Sequence, residues 1–256
     1  MDAFPGGAVM VDTVLETVDL QMAFGGLKIF ERLNFSLRRG ERHAVIGPNG
    51  AGKSTFVNLV TGVLKPVAGR LMLDGRDITA ATPQERVRAG LLRTFQINTL
   101  FPGLNPLESM VVALCQRDAV ARPSLRATAR HTGQIDEGRQ LLERFGLLDV
   151  ALTPTRMLPY GKQRILEVAL AFAMRPRVLL LDEPAAGLST AQGVALFDQL
   201  RELAAETTVL FIEHDMNLVF KYADRVSVFA GGQMISQGTP DEVRADPVVT
   251  KAYLGN

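Results

Sequence analysis

The chain is poor in cysteine, in net charge and in long apolar runs. Cys115 is the single cysteine among 256 residues, which excludes an intrachain disulfide and a cysteine-based metal cluster and fits a reducing, cytoplasmic compartment. A net charge of +1 gives no sign of bulk binding to nucleic acid. No apolar run approaches the ~18 residues needed to cross a bilayer. The first basic residue is Lys28, so no secretory signal is predicted.

What the chain does contain is a succession of strand and helix patterns. β-forming residues with rough alternation predict strands between residues 13 and 46 and again over 69–78. Helical patterns predominate from about 80 to 170. From 177 onward, continuous apolar runs typical of buried parallel strands alternate with helices. The order predicts an α/β chain with a helical middle.

Local signals mark several helix starts and one hairpin. The sequences that begin at Thr82, Asn105 and Thr239 each carry Pro at the next position and Glu at the third, which predicts a capping box. The pair Gly231-Gly232 lies between two strand patterns and predicts a hairpin.

A glycine-rich loop between a strand and a helix is the most informative feature. Residues 47–54, GPNGAGKS, fit the pattern GxxxxGK[ST]. The glycines allow successive backbone N–H groups to point at phosphate oxygens, and the helix N-terminus adds partial positive charge. Lys53 is expected to neutralise the β- and γ-phosphates, and Ser54 to bind magnesium. The loop predicts a nucleoside triphosphate site made by Gly47, Pro48, Asn49, Gly50, Ala51, Gly52, Lys53, Ser54 and Thr55.

Two adjacent carboxylates end a predicted buried strand in the sequence RVLLLDEP. A bound triphosphate needs a further magnesium anchor and a group that activates water. We expect Asp182 to hold the magnesium and Glu183 to act as the general base on the attacking water. Adjacent carboxylates at a strand end are often only solvated charges. A phosphate loop in the same predicted sheet favours the functional interpretation.

Five motifs occur in a fixed order: GPNGAGKST, RTFQ, LPYGKQR, VLLLDEP and FIEHD. In order and spacing they resemble the nucleotide-binding subunits of ABC transporters, over about residues 13–256. The resemblance implies a single α/β domain of the P-loop NTPase class. Its RecA-like core and N-terminal antiparallel β subdomain would comprise about 13–95 and 177–256, with a helical subdomain inserted at about 97–176.

The resemblance also implies roles for single residues around ATP and Mg²⁺. Gln96 matches the residue that senses magnesium and water and couples to the membrane partner, so it joins Ser54 and Asp182 in the expected magnesium set. His214 matches the histidine that contacts the γ-phosphate. Phe24 lies about where the family places an aromatic ring against adenine. A packed phenylalanine of the β subdomain is the alternative for Phe24.

LPYGKQR, residues 158–164, occupies the position of the signature segment usually written LSGGQ. By itself, Pro-Tyr-Gly before a strong helix pattern predicts either an ordinary turn or a helix N-terminus left free to bind an anion. In the family, two subunits pair head to tail, and each signature segment contacts ATP held by the other. The resemblance therefore implies a role in trans for Leu158, Pro159, Tyr160, Gly161 and Lys162.

Three departures from the family pattern affect the expected rate. Pro159 replaces a serine that supplies two phosphate donors, whereas Lys162 replaces a glutamine and brings a charge that could offset them. Ser189 stands where many relatives have an aspartate that couples the two sites. We expect composite sites that form, with hydrolysis slower or more dependent on the partner than usual.

Within the family, the sequence resembles the branched-chain amino acid transporter ATPases. The YG-type signature, the runs LLLDEPAAGL and IEHDM, and the ending GTPDEVRADPVVTKAYLG carry this likeness. It implies ATP-driven uptake of branched-chain or other amino acids, or of small polar solutes such as amides or urea. It also implies a second ATPase subunit, identical or paralogous, two membrane permease subunits, a solute-binding protein acting indirectly, and a location on the cytoplasmic face of the cell membrane.

Three other functions stay open at this point. An ABC ATPase acting on nucleic acid or ribosomes is disfavoured by the single cassette, the single cysteine and the near-zero net charge. A lipopolysaccharide-export ATPase shares a similar C-terminal ending but keeps an LSGG-type signature. A nucleotide-binding regulatory module without turnover is suggested by Pro159 and Ser189, and disfavoured by the intact Glu183 and His214.

Two further stretches have alternative interpretations. In QINTLFPGLNP, Leu100 and Phe101 belong either to a buried loop or to the groove that receives a permease helix in this family. Arg122, Arg126 and Arg130 recur every four residues, a spacing that would place them on one face of a helix. That face is either simply solvated or a contact with lipid headgroups or the permease.

Overall fold

The computed structural model describes residues 12–94, 100–119, 131–203 and 207–254. The strands are β1 Thr13–Phe24, β2 Leu27–Arg38, β3 Arg42–Ile46, β4 Ala68–Leu73, β5 Arg76–Asp77, β6 Leu91–Arg93, β7 Val178–Asp182, β8 Thr208–Ile212, β9 Arg225–Ala230 and β10 Gln233–Gly238. The α-helices are α1 Lys53–Thr61, α2 Pro83–Arg88, α3 Pro106–Arg117, α4 Thr132–Arg144, α5 Tyr160–Ala173, α6 Thr190–Leu203, α7 Met216–Tyr222, α8 Pro240–Ala245 and α9 Pro247–Leu254.

The strands form two sheets. One is antiparallel, in the order β2-β1-β4-β5. The other has the order β10-β9-β3-β8-β7-β6, and its strands are parallel apart from β10, which pairs antiparallel with β9. Parallel neighbours need long crossover connections, which helices supply here. The predicted α/β class with an N-terminal antiparallel sheet is confirmed.

The parallel strands are buried on both faces. Successive residues of a strand point to opposite sides, and here the two sides belong to two different cores. Ala44 and Leu179 face one core, whereas their neighbours Val45 and Leu180 face the other, which also contains Phe56 of α1. Burial on both faces explains the unbroken apolar runs. In the sheet, β8 lies between β3 and β7, so the carboxyl ends of β3 and β7 lie at the same edge.

The middle of the chain is helical, with one exception. Helices α3, α4 and α5 pack against one another around Met110, Leu114, Leu142, Phe145 and Phe172. The stretch from about 80 to 170 also contains β6, which pairs in parallel with β7 and was not predicted. Three residues are too few to show a strand periodicity. The predicted Arg122, Arg126 and Arg130 face lies outside the described residues.

The predicted helix starts are confirmed. At Thr82, Asn105 and Thr239 the side-chain oxygen accepts a hydrogen bond from the N–H three residues on, and the glutamate there accepts one in return. The hairpin between β9 and β10 turns at Gly231 and Gly232 as expected.

A polar network is buried between β3 and β9. His43 is fully buried, with Nδ1 2.9 Å from Glu41 Oε1 and Nε2 2.8 Å from Ser227 Oγ. Gln237 Nε2 donates a further hydrogen bond to Ser227 Oγ over 2.8 Å. Burial lowers the pKa of His43 because it disfavours the imidazolium, and the nearby Glu41 opposes this shift.

The lowered pKa makes stability depend on pH. Below about pH 6.5, the usual pKa of histidine, the unfolded chain binds a proton that folded His43 binds less readily, so the free energy of unfolding falls as pH falls. His43→Gln should flatten this dependence by at most about 1.4 kcal/mol per pH unit. Urea unfolding between pH 5.5 and 7.5 measures it (about one unit either side of that pKa), with His131→Gln as the control. Equal slopes for the wild type and His43→Gln would contradict the prediction.

Candidate active site

The glycine-rich loop connects β3 to α1, and two of its glycines leave no room for a side chain. A Cβ at Gly47 would lie 2.2 Å from the carbonyl oxygen of Phe229. Gly52 has a left-handed φ of 97°, and a Cβ there would lie 2.7 Å from Cζ of Phe30. Gly52 is also the N-cap of α1 and provides no side-chain cap. The N–H groups of the first turn are therefore left available to an anion.

Lys53 lies inside this loop. Its Nζ donates hydrogen bonds to the carbonyl oxygens of Gly47 at 2.6 Å and Pro48 at 3.0 Å. Burial lowers the pKa of the Lys53 ammonium, and the negative charges of Glu183 and Asp182 act in the opposite direction. The loop thus brings a cation next to the two carboxylates predicted to work with it.

Glu183 and His214 come together at the ends of neighbouring strands. Nε2 of His214 lies 2.8 Å from Oε1 of Glu183. Glu183 has a φ of 48°, which is uncommon for a residue other than glycine. Both side chains are partly exposed, so the carboxylate is open to a ligand while the imidazole orients it.

Glu213 supports this pair and was not predicted. Its Oε1 accepts a hydrogen bond from the N–H of Ala185 at 2.8 Å, and its Oε2 accepts one from the N–H of His214 at 3.2 Å. Burial raises the pKa of Glu213. The carboxyl ties the loop after Glu183 to the segment that carries the histidine. Its position at the end of a buried strand, beside His214, was the available signal.

Arg164 is a second support that sequence reasoning missed. Its guanidinium is buried and donates hydrogen bonds to the carbonyl oxygens of Asp182, Glu183 and Pro184 at 3.0, 3.1 and 3.3 Å. It also pairs with Glu167 at 2.6 Å. The turn that holds the two carboxylates is therefore fixed to α5. An arginine on the apolar face of a helix was the only hint in the sequence.

Asp182 has an ionic partner that was not predicted either. Nη2 of Arg93 donates to Oδ2 of Asp182 at 2.6 Å, and Nη1 donates to Oδ1 of Asn58 at 3.0 Å. Asn58 lies on α1, so the arginine links the phosphate loop helix to the end of β7.

The oxygen donors next to the phosphate loop suit magnesium. Mg²⁺ in phosphate sites is bound by one or two protein groups plus phosphate and water, not by a protein cage. Asp182 at the end of β7 and the exposed Ser54 provide such groups. Accordingly, no cluster of three acidic, His or Cys side chains forms a cage within the described part of the chain. Gln96 lies outside the described residues, so its expected contribution stays a prediction.

The signature segment begins α5 without a side-chain cap. Pro159 is the N-cap and makes no side-chain capping bond, which leaves the N-terminus bare and is compatible with the anion-binding alternative. Tyr160 is 48% exposed, and its hydroxyl donates to the carbonyl oxygen of Ala186 at 3.2 Å. A Cβ at Gly161 would lie 2.7 Å from Nε2 of Gln192, so the segment packs closely on the start of α6.

Two residues of the segment face their own chain. Leu158 is buried in the core. Nζ of Lys162 donates to the carbonyl oxygen of Gly146 and pairs with Asp149, both at 2.8 Å. The charge expected to offset the lost serine donors is therefore already held by an intrachain ion pair.

Ser189 caps the next helix. Its Oγ accepts a hydrogen bond from the N–H of Gln192 at 3.4 Å, and its N–H donates to Oε1 of the same glutamine at 3.0 Å. Ser189, Glu183 and His214 line one cleft of about 230 Å³. The structure thus places this sequence departure next to the catalytic candidates.

The aromatic and apolar candidates can now be assigned to one alternative each. Phe24 lies at the end of β1 and is 48% exposed, so the packed alternative is wrong. Leu100 packs against the core, whereas Phe101 is 58% exposed. Phe101 is thus the more accessible of the two side chains to a partner.

Comparison with known proteins gives consistent results. The family model described as ABC transporter matches residues 30–186, and the model described as branched-chain amino acid ATP-binding cassette transporter matches 233–256. The chain is 39% identical to the high-affinity branched-chain amino acid transport ATP-binding protein LivG of Salmonella typhimurium, over 96% of this chain and 99% of that one. BraF of Pseudomonas aeruginosa, with the same description, is 37% identical over 94% and 98%.

A solved structure supports the fold. The ADP conformation of an ATP-binding cassette of an ABC transporter superposes with a TM-score of 0.81 at 28% identity, covering 95% of this chain and 99% of that one.

Within the described residues, every helix is too short or too polar to span a bilayer.

The hydrogen bonds of Arg164 predict a defect in the rate of hydrolysis. Arg164→Lys cannot serve three carbonyl oxygens and Glu167 together, so the turn that carries Glu183 should loosen. We expect kcat to fall about tenfold or more, because misplacing a reacting group is costly. Nucleotide affinity should change little. Phosphate release and nucleotide titration measure the two effects, with the exposed Arg139→Lys as the control; an unchanged kcat for Arg164→Lys would refute the role.

Proposed function

The chain belongs to the ABC transporter family, and we propose that it is the ATP-hydrolysing subunit of an importer for branched-chain amino acids or related small polar solutes such as amides or urea. The observation that carries the proposal is the pairing of Glu183 with His214 in a chain that also has an uncapped phosphate loop. The full-length likeness to LivG and BraF and the match over 233–256 support the choice of solute.

ATP binds through the phosphate loop. The N–H groups at the start of α1 and the ammonium of Lys53 hold the phosphates, which requires Lys53 to leave the carbonyl oxygens of Gly47 and Pro48. The exposed ring of Phe24 stacks on adenine. Ser54, Asp182 and Gln96 would hold Mg²⁺, which would neutralise charge on the phosphates.

Glu183 and His214 carry the proton chemistry. Glu183 accepts a proton from the attacking water, since its carboxylate is open to ligand and held by Arg164 and Glu213 through the backbone around it. In this structure His214 contacts that carboxylate. When ATP is bound, it contacts the γ-phosphate. An exposed, oriented Glu183–His214 pair favours turnover over a purely regulatory module.

Two such subunits pair head to tail around ATP. The bare N-terminus of α5, with the N–H of Gly161, faces the phosphates held by the other subunit. Pro159 offers no donor, and Lys162 must leave Asp149 to contribute. Hydrolysis is therefore slow or partner-dependent. The second subunit is a copy of this chain or a paralogue.

The partners beyond the dimer are two permease subunits and, through them, a solute-binding protein. The subunit sits on the cytoplasmic face of the cell membrane. The segment with Gln96 and the exposed Phe101 transmits closure to the permease. The net charge of +1 gives no sign of bulk binding to nucleic acid.

Replacing the base separates binding from hydrolysis. Glu183→Gln should lower steady-state phosphate release by about 100-fold or more, because general-base catalysis contributes about that much. ATP binding should persist and the dimer should accumulate, as measured by size exclusion with and without ATP. Asp241→Asn, on α8, serves as the control. Turnover within a few-fold of the wild type would refute the assignment of Glu183.

The same trapped variant tests the transport assignment. Tagged Glu183→Gln, solubilised from native membranes with ATP and Mg²⁺, should recover two polytopic permease subunits and either a paralogous ATPase or a second copy. Recovery of ribosomes, nucleic acid or only water-soluble proteins would contradict the importer assignment and leave an ATPase of another kind.

A further inference from the structure

Arg93 is held between two functional elements. It is the last residue of β6, and its guanidinium bridges Asn58 on α1 and Asp182 at the end of β7, over 3.0 and 2.6 Å. Its side chain is 15% exposed and that of Asp182 is 5% exposed. The arginine therefore covers the carboxylate that the proposed function assigns to the metal.

The remaining nitrogen of the guanidinium lacks a partner among the described residues. Nε of Arg93 is buried and makes no hydrogen bond among the described residues. Three buried oxygens are in the same condition: Oγ1 of Thr94, Oγ of Ser109 and Oε1 of Glu167. A buried polar group without a partner is unfavourable by about 1–3 kcal/mol, so four of them at one place are a notable cluster.

These unpaired atoms belong to residues that line one cavity. Its volume is about 330 Å³, and Arg93, Thr94, Ser109 and Glu167 all border it. The three oxygens are acceptors, and one of them is on a carboxylate whose other oxygen pairs with Arg164. The residues that border the cavity therefore carry three acceptors without a partner among the described residues.

We propose that Arg93 is a positioning residue with two alternative sets of partners. In one state it bridges Asn58 and Asp182, as in this structure, and it keeps a divalent cation from Asp182. In the other state the cation holds Asp182, and the guanidinium turns to the acceptors of Thr94, Ser109 and Glu167. The inference rests on the proposed role of Asp182 as a magnesium ligand.

Charge and geometry support this competition. A guanidinium at hydrogen-bond distance and a magnesium ion cannot occupy the same side of one carboxylate, and both are cations that repel at that distance. Displaced arginine needs acceptors, because a buried guanidinium without them is strongly unfavourable. Residues that border the cavity carry such acceptors close to Arg93 in the fold.

The test measures how much magnesium strengthens nucleotide binding, without any hydrolysis. The dissociation constant of a fluorescent ADP (mant-ADP) is measured in EDTA and in Mg²⁺. The EDTA value divided by the Mg²⁺ value gives the metal's contribution to binding. Arg93→Gln removes the competitor and should raise this ratio about tenfold, as expected for one competing charge-assisted hydrogen bond. Arg93→Lys keeps the charge and should give an intermediate ratio.

Two further variants test the contacts of Arg93 while its charge stays in place. Asn58→Ala leaves the charge unchanged but releases one end of the bridge, so it should raise the ratio about threefold. Thr94→Val removes one cavity acceptor at similar volume and should lower it. The EDTA value and the unfolding temperature check that each variant is folded.

The outcomes are decisive in both directions. An unchanged or lowered ratio in Arg93→Gln would overturn the proposal, and so would a raised ratio there with no change in Asn58→Ala. An unchanged ratio in Thr94→Val would overturn the second state. If Asp182→Asn does not lower the ratio, the magnesium role of Asp182 fails instead, which is a failure of the proposed function and not of the competition.

Discussion

The buried guanidinium of Arg164 is the contact on which the arrangement of the site depends. The turn after β7 must leave the sheet, so its carbonyl oxygens lose the partners that a strand would give them, and buried carbonyls need donors. Arg164 supplies donors to three of them in succession, those of Asp182, Glu183 and Pro184. One side chain thereby satisfies the backbone of this turn and fixes the direction of the carboxylates of Asp182 and Glu183.

The same contact joins two surfaces with different tasks. Arg164 lies in α5, whose bare N-terminus is the segment proposed to serve the partner subunit. Further contacts reinforce the link: the hydroxyl of Tyr160 reaches the carbonyl oxygen of Ala186, and Gly161 lies against Gln192, which shares its capping bonds with Ser189. A displacement of the signature segment by a partner's ATP would therefore be felt at Glu183 of the same chain. Ser189, in this view, preserves a helix cap at the junction between the two surfaces.

The sequence was sufficient for local features and insufficient for contacts between distant segments. The phosphate loop, the capping boxes and the two-sided burial of the parallel strands depend on residues close in sequence, and all were predicted. Arg93, Arg164 and Glu213 hold Asp182, the turn after it and Ala185 through contacts that span 18 to 89 positions, and no local pattern marks an arginine that will meet carbonyl oxygens of another element. The ion pair of Lys162 was missed for the same reason, since Asp149 belongs to a short 3-10 helix before α5.

ATP hydrolysis at Glu183 is proposed to drive solute uptake. The most direct test measures initial uptake of radiolabelled leucine, isoleucine, valine, an aliphatic amide and urea in cells that lack this chain. These cells are complemented either with the wild type or with Glu183→Gln at equal expression. We expect these cells to lose uptake of at least one solute, and we expect the wild type but not Glu183→Gln to restore it. Uptake of all five solutes that is unaffected by loss of the chain, or restored equally by both forms, would contradict it.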